Sequence, residues 1–285
     1  MTAAGSRIDA HLHVWDLERV HYPWLGPDLG PLNATFTPEQ ARAELDGCGI
    51  DRAVLVQAAD SEQETALLLG VADRNPWVAG VVGWVRLDDP VVAERQLDRV
   101  QENPAFCGVR HLVHDDPRDD FLSLPLVRRS LALLAARGLP FDVPDAWPRH
   151  LGAAAELAAA LPELRIVVDH LAKPPFGGPG WADWRRTLAA VAERPRTVAK
   201  VSGLQVPGRP FTVEAVRPAW ETALELFGPP RLMWGSDWPL TVLVDGYAGT
   251  WAAMSSLVGE LSVDEQEMVL AGTATSVYRL GGTAG

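Results

Sequence analysis

A single (β/α)8 barrel of the TIM type is the fold that this sequence predicts. Short runs of β-branched and other apolar residues alternate with longer segments, rich in Ala and Leu, that have a helical period. The alternation repeats eight times without a break in composition, and one domain of 285 residues is ordinary for such a barrel. We expect one domain over 1–285, with its core at about 7–280. The pattern alone leaves an open, doubly wound sheet as the alternative, although no GxGxxG motif follows the first strand.

Eight strands are predicted from the apolar runs. Near-continuous apolar runs are typical of parallel strands that helices cover on both faces of the sheet. The predicted strands lie at 7–13, 53–57, 78–85, 108–113, 140–143, 165–169, 197–202 and 232–236.

Helices are predicted between the strands. Thr37 before Pro38 indicates a helix start, because threonine can cap a helix and proline is favoured in the first turn. Gly138 and Gly228 indicate helix ends. Two long loops rich in Pro and Gly, 15–36 and 171–181, are predicted to form the mouth of a pocket. Further helices are predicted at 61–72, 91–101, 126–136, 151–160, 181–192, 213–226, 249–257 and 263–270.

Composition and charge restrict the partners. The net charge of -12 and the pI near 5.0 argue against nucleic acid and anionic membranes, since both would repel the chain. We expect a small-molecule substrate and a monomer or homodimer. Cys48 and Cys107 form no CxxC motif and fit a reducing cytoplasm, and neither a membrane span nor a signal peptide is predicted.

Two histidines, His11 and His13, are separated by one residue at the end of the first predicted strand. Side chains alternate faces along a strand, so both can converge on one metal ion or one substrate atom. Asp237 follows the eighth strand, which lies beside the first if the barrel closes. A carboxylate beside two imidazoles can ligate a metal or take a proton from water as a general base. His170, after the sixth strand, adds a third imidazole.

Other polar residues close the remaining apolar strands. In a parallel barrel, the chemistry collects at the carboxyl ends of the strands, so these residues are candidates for the site. Tryptophans near strand ends can form the walls of a pocket. The candidates are Trp15, Arg110, His111, Asp142, Asp169 and Lys200.

Five segments carry a resemblance to a known family. They are DAHLHVWD at 9–16, FCGVRH at 106–111, VDHLAKP at 168–174, KVSGL at 200–204 and MWGSDWP at 233–239. In this order they resemble the amidohydrolase-2 family of the amidohydrolase superfamily. The resemblance is greatest to its sugar-lactonase group, which includes L-fuconolactonases and L-rhamnonolactonases, and it runs from residue 7 to about residue 280.

The resemblance implies a (β/α)8 barrel that hydrolyses a cyclic ester, a sugar-acid lactone above all. At the matching positions, Asp237 would activate water and later protonate the leaving hydroxyl, while His170 would lie beside the scissile carbonyl. Arg110 and Lys200 would face the substrate and stabilise the oxyanion, or they would form ion pairs inside the barrel. The predicted substrate-binding residues are Trp15, Arg110, His111, Asp142 and Lys200.

The resemblance leaves the metal open. Binuclear members of the superfamily need a carboxylated lysine on strand four and a histidine on strand five, where this chain offers Arg110 and Asp142. One divalent ion, zinc by its donor types, could bind through His11, His13 and Asp237. Metal-independent hydrolysis is the alternative, because a lactone carbonyl needs less polarisation than an amide.

Two other functions stay open. One is a related activity of the same family, either a metal-dependent decarboxylase or a hydrolase of an aromatic or secondary metabolite. Asp142 counts against the decarboxylase, because those enzymes use a histidine from strand five. The other is a noncatalytic barrel that binds a small ligand, although the paired histidines and Asp237 are all present. The chain has no GxSxG motif, which argues against a serine acyl-enzyme.

Overall fold

The eight predicted strands form one parallel sheet. The computed structural model describes residues 6–206 and 208–281. Each strand pairs with the next in sequence order, and a parallel bridge between Leu12 and Trp238 brings the last strand beside the first. The prediction of a (β/α)8 barrel is therefore confirmed. The strands are β1 (Ile8–Leu12), β2 (Arg52–Val56), β3 (Val78–Gly83), β4 (Phe106–Arg110), β5 (Phe141–Val143), β6 (Ile166–Val168), β7 (Thr197–Val201) and β8 (Leu232–Trp234).

Helices follow the strands and cover the sheet. The first begins as predicted: the Thr37 hydroxyl accepts a hydrogen bond from the Gln40 amide, and the Gln40 side chain accepts one from the Thr37 amide. Gly138 and Gly228 follow the ends of their helices with positive φ, as glycine permits. The helices are α1 (Pro38–Cys48), α2 (Glu62–Ala72), α3 (Pro90–Val100), α4 (Pro125–Arg137), α5 (Leu151–Ala160), α6 (Trp181–Ala192), α7 (Val213–Phe227), α8 (Gly246–Val258), α9 (Val263–Glu267) and α10 (Thr273–Tyr278).

Several strands are shorter than the apolar runs suggested. The β3 ladder ends where Gly83 faces Val109, and the β8 ladder ends where Val201 faces Trp234. Beyond these pairs the chain turns into the loops at the carboxyl edge of the barrel. The strand predicted at 108–113 likewise ends at Arg110, so that the next residues lie in a loop.

The last helix was missed by the sequence analysis. The helix predicted at 263–270 ends at Glu267, and one π-helical turn over Met268–Gly272 leads into α10. Helix α10 packs against strand residues of the barrel, and the hydroxyl of its Tyr278 donates to Asp142 Oδ2 at 2.7 Å. Its short, β-branched sequence TATSVY gave no helical period to detect. Among the described helices, none has the length and apolar character needed to cross a membrane.

Candidate active site

The paired histidines meet at the carboxyl end of β1. The Nε2 atoms of His11 and His13 lie 3.1 Å apart, and both residues are buried. The Nδ1 atom of His13 lies 2.7 Å from the Val56 carbonyl oxygen. Because a carbonyl can only accept, His13 Nδ1 carries the proton, and a neutral His13 presents the lone pair of Nε2 to the site.

Asp237 lies against both histidines, as barrel closure predicts. Its Oδ1 atom is 3.3 Å from His13 Nε2 and 3.7 Å from His11 Nε2. Burial alone would raise the pKa of Asp237, but the neighbouring His170 and Lys173 hold that pKa well below its usual value. The carboxylate is therefore ionised at neutral pH. Its backbone has a φ of 61°, an uncommon conformation for a residue other than glycine.

Asp9 holds the two ends of the barrel together beneath this site. Its carboxylate accepts hydrogen bonds from the backbone amides of His11, at 3.0 Å, and Ser236, at 2.9 Å. The Tyr247 hydroxyl donates to the other carboxylate oxygen at 3.0 Å. Burial raises the pKa of Asp9 to about 6. The sequence analysis did not select Asp9, although a charged residue within an apolar strand was the available signal.

His170 faces Asp237 from the other side of the site. Its Nε2 atom is 3.8 Å from Asp237 Oδ1, and its Nδ1 atom is 2.9 Å from the Ser202 hydroxyl oxygen. Burial lowers the pKa of His170 to about 4, so the imidazole is neutral at pH 7. A side chain at Gly203 would place its Cβ 2.2 Å from His170 Nδ1, so the ring requires glycine there.

Gln205 is a further neighbour of the carboxylate. Its side-chain amide donates to Asp237 Oδ2 at 2.8 Å, which leaves Oδ1 for the histidines. Sequence reasoning missed Gln205, because a glutamine in a loop carries no periodic signal and no charge.

Lys200 lies below the histidines in a buried ion-pair network. Its ammonium is 2.7 Å from Asp142 Oδ2 and 3.1 Å from Asp169 Oδ1, and it also lies 3.1 Å from His11 Nδ1. Arg110 completes the network, with Nε 3.5 Å from Asp169 Oδ2 and Nη1 3.1 Å from His11 Nε2. Of the two alternatives for these cations, Lys200 forms the ion pair, whereas Arg110 also lines a cavity.

A cavity of about 260 Å³ opens above these side chains. Four of the predicted site residues line it, namely His13, Arg110, His170 and Asp237. The lining also includes polar residues that the sequence analysis did not select, because they belong to loops whose course the strand pattern does not fix. These are His114, Asp115, Asp145 and Lys173.

Four predicted substrate-binding residues do not line that cavity in the described part of the chain; one is Lys200, in the ion-pair network, and the others are His111, Trp15 and Asp142. His111 stacks on Phe121 and lies 3.0 Å from Asp60, because the residue after inward-facing Arg110 points the other way. Trp15 is buried and donates its indole N–H to the Ala34 carbonyl. Asp142 lies beneath the site, where it binds Lys200 and Tyr278.

Among the residues that the structure describes, two groups of side chains have the composition of a metal site. In each, the potential ligand atoms lie within 4.8 Å of one another, and all residues are buried. The first is the predicted set, His11, His13 and Asp237. The second shares His11 and adds Asp169 and His170. Imidazole nitrogens with a carboxylate oxygen are donors that zinc accepts.

Comparison with known proteins places this barrel among enzymes. Two curated relatives, both named L-fucono-1,5-lactonase, come from Burkholderia ambifaria (33% identical) and Burkholderia multivorans (31% identical), and each alignment covers 96% of both chains. A crystal structure of an amidohydrolase from Burkholderia multivorans with bound zinc superposes with a TM-score of 0.87 at 30% identity, and it covers 97% of this chain and 100% of that one. The amidohydrolase family matches residues 8–280. The chain therefore belongs to the amidohydrolase family, which confirms the resemblance drawn from its five sequence segments.

Proposed function

We propose that this protein is a lactonase that opens a sugar-acid lactone, with L-fucono-1,5-lactone as the first substrate to test. The observation that carries the proposal is the ionised Asp237 carboxylate, which lies beside three imidazoles and lines a cavity. The two relatives named L-fucono-1,5-lactonase, aligned over 96% of this chain, support the same chemistry.

Asp237 acts as the general base. Its Oδ1 atom takes a proton from a water molecule, and the water oxygen attacks the lactone carbonyl carbon. The Arg110 guanidinium, which faces the cavity, stabilises the negative charge that develops on the carbonyl oxygen. When the bond to the ring oxygen breaks, Asp237 returns the proton to that oxygen. One water is consumed, and the product is an open-chain hydroxy acid.

His170 assists at the carbonyl as a neutral donor. The Ser202 hydroxyl oxygen lies 2.9 Å from Nδ1, and with this hydroxyl as the hydrogen-bond donor the imidazole proton is on Nε2. Nε2 faces the cavity 3.8 Å from Asp237 Oδ1, so it can donate to the substrate carbonyl beside the attacking water.

The residues present fit one divalent metal ion. His11, His13 and Asp237 would hold it, and the bond from His13 Nδ1 to the Val56 carbonyl is the orienting contact typical of metal-binding histidines. Bound zinc would polarise the lactone carbonyl. Arg110 Nη1, 3.1 Å from His11 Nε2, already brings positive charge to the same place, and metal-independent hydrolysis remains the alternative.

The test is a proton-release assay against a panel of sugar lactones, with and without chelator and with added zinc. We expect turnover of L-fucono-1,5-lactone, and a loss of roughly 10²- to 10⁴-fold in Asp237→Asn with an unchanged circular dichroism spectrum. Asp98→Asn, which changes an exposed carboxylate on α3, is the matched control and should keep the wild-type rate. A panel without any turnover, or an Asp237→Asn variant at the wild-type rate, would refute the proposal.

We further propose that residues 7–280 form the single catalytic domain, and that the protein acts in the cytoplasm as a monomer or homodimer. The free thiols of Cys48 and Cys107 support a reducing compartment. The acidic net charge argues against nucleic acid as a partner.

A further inference from the structure

Three polar side chains on one wall of the cavity have no part in the mechanism above. Asp145 follows β5, Lys173 follows β6 and His114 follows β4; together we call them the loop cluster. All three line the cavity that holds Asp237. They belong to three different loops, so the barrel, and not local sequence, brings them together.

The loop cluster has unused hydrogen-bonding capacity. Asp145 Oδ1 and His114 Nδ1 are shielded from solvent, and neither has a hydrogen-bond partner among the described residues. Lys173 Nζ donates to the Gly203 carbonyl at 2.8 Å, which uses one of its three N–H groups. Its distance of 3.9 Å from Asp145 Oδ1 is too long for a direct hydrogen bond. Buried polar atoms without partners are rare in folded proteins and call for an explanation.

The backbone that carries the loop cluster is held in an unfavourable conformation. Four successive residues, 170–173, have φ values between 50° and 61°, and Asp145 has a φ of 44°. For residues other than glycine, such values cost about 1–2 kcal/mol each. Two hydrogen bonds hold this turn in place. The Trp147 backbone amide donates to the Ala172 carbonyl, and the Trp184 indole N–H donates to the Leu171 carbonyl. Strain of this kind concentrates at functional sites, and here it brings His170 and Lys173 to one cavity.

We propose that the loop cluster binds hydroxyl groups of the lactone ring and so makes the enzyme selective for hydroxylated lactones. The inference rests on the proposed lactonase function and deepens it. A hydroxyl group is both donor and acceptor, so it can donate to Asp145 Oδ1 and accept from Lys173 Nζ. His114 Nδ1 offers a further contact for a neighbouring hydroxyl.

The position of the loop cluster relative to the reacting atoms supports this role. His170 Nε2 lies 3.8 Å from Asp237 Oδ1 and 4.0 Å from Asp145 Oδ1. A lactone whose carbonyl contacts His170 and Asp237 therefore has Asp145 within reach of its ring substituents. The same wall carries both an acceptor, Asp145, and a cationic donor, Lys173, which is the pairing that a hydroxyl group needs.

The experiment compares two six-membered lactones that differ in their hydroxyl groups. L-fucono-1,5-lactone carries them, and δ-valerolactone does not. We would measure kcat and KM for both with the wild type, Asp145→Gly and Asp145→Asn. Glycine adopts a φ of 44° without strain and asparagine tolerates it, so each variant can keep the loop.

We expect kcat/KM for L-fucono-1,5-lactone to fall by about 10- to 100-fold in both variants, since a hydrogen bond to a charged group contributes about that factor. The value for δ-valerolactone should stay near that of the wild type. Asp119→Asn, which changes an exposed carboxylate paired with Arg149, should affect neither substrate.

Three results would overturn the inference. An equal loss on both lactones would assign Asp145 to catalysis or folding, and an unchanged value for L-fucono-1,5-lactone would remove it from recognition. A wild type that hydrolyses neither lactone would refute the proposed function itself, which distinguishes that failure from the first two. Thermal unfolding of each variant identifies one that does not fold, in which case the other carries the test.

Discussion

The two lysines of this chain occupy opposite environments, and we predict opposite consequences of replacing them. Lys200 is fully buried between Asp142 and Asp169, whereas Lys173 is about one-third exposed at the cavity. Lys200→Met removes the cation and leaves two buried carboxylates facing each other. Lys173→Met is the matched control, because it makes the same substitution at a position that is partly exposed to solvent.

The loss of unfolding free energy in each variant depends on how deeply the lysine is buried. Removing one partner of a buried ion pair costs about 3–5 kcal/mol, because the remaining charge is uncompensated. The total free energy of unfolding of a protein is commonly about 5–15 kcal/mol, so Lys200→Met should lose a large part of it. A partly exposed pair such as the one Lys173 makes with Asp145 contributes about 0–1 kcal/mol.

The loss of stability in Lys200→Met should also depend on pH. Burial raises the pKa of Asp142 to about 6, and removal of the Lys200 charge raises it further. A protonated Asp142 no longer carries an uncompensated charge. The destabilisation caused by Lys200→Met should therefore be largest above pH 7 and shrink as the pH falls toward 6.

Urea unfolding followed by tryptophan fluorescence measures both variants at pH 6 and pH 8. We expect Lys200→Met to unfold at much lower urea than Lys173→Met at pH 8, with a smaller gap at pH 6. If the two variants unfold at the same urea concentration, the buried network does not stabilise the barrel.

Three further changes have expected outcomes. Gln205→Leu removes a donor to Asp237, so the pKa of that carboxyl rises and the acid limb of the pH profile of kcat/KM should move to higher pH; an unmoved limb would exclude this contact from catalysis. Burial lowers the pKa of His170 to about 4, from about 6.5 in the unfolded chain. The folded state therefore has its full stability from the neutral imidazole above pH 6.5 and loses it as the pH falls toward 4, because the unfolded chain binds the proton more tightly. His170→Gln should accordingly reduce proton uptake on unfolding near pH 5 by about one proton, and an unchanged pH dependence of urea unfolding would contradict the assignment. Gly203→Ala should abolish turnover because its Cβ displaces the His170 ring, whereas Gly208→Ala, at a similar positive φ with free space around it, should cost about 1 kcal/mol and retain activity.

The sequence pattern was sufficient to predict parallel strands covered by helices, and the closed barrel followed from the eight repeats together with the family resemblance. Near-continuous apolar runs such as 53–57 and 165–169 are typical of buried parallel strands, and their polar ends mark one edge of the sheet. The pattern could not reveal α10, whose residues pack under the barrel through tertiary contacts and not through a helical period of their own.

The candidate site was predictable where strands position the side chains. His11 and His13 share a face because strands alternate, and Asp237 joins them because the barrel closes. The same alternation should have excluded His111, which directly follows Arg110. Asp145 escaped prediction because its position depends on a positive φ, which no local pattern in the sequence specifies.

The junction between β1 and β8 has a consequence for the time at which the protein becomes active. Asp9 binds the backbone on both sides of that junction, and the Asp237 amide donates to the His11 carbonyl at 2.8 Å. Half of the site is thus made early in synthesis, and the other half almost last. A nascent chain on the ribosome carries both histidines long before it carries the base, so it cannot hydrolyse a lactone until most of its length has been translated.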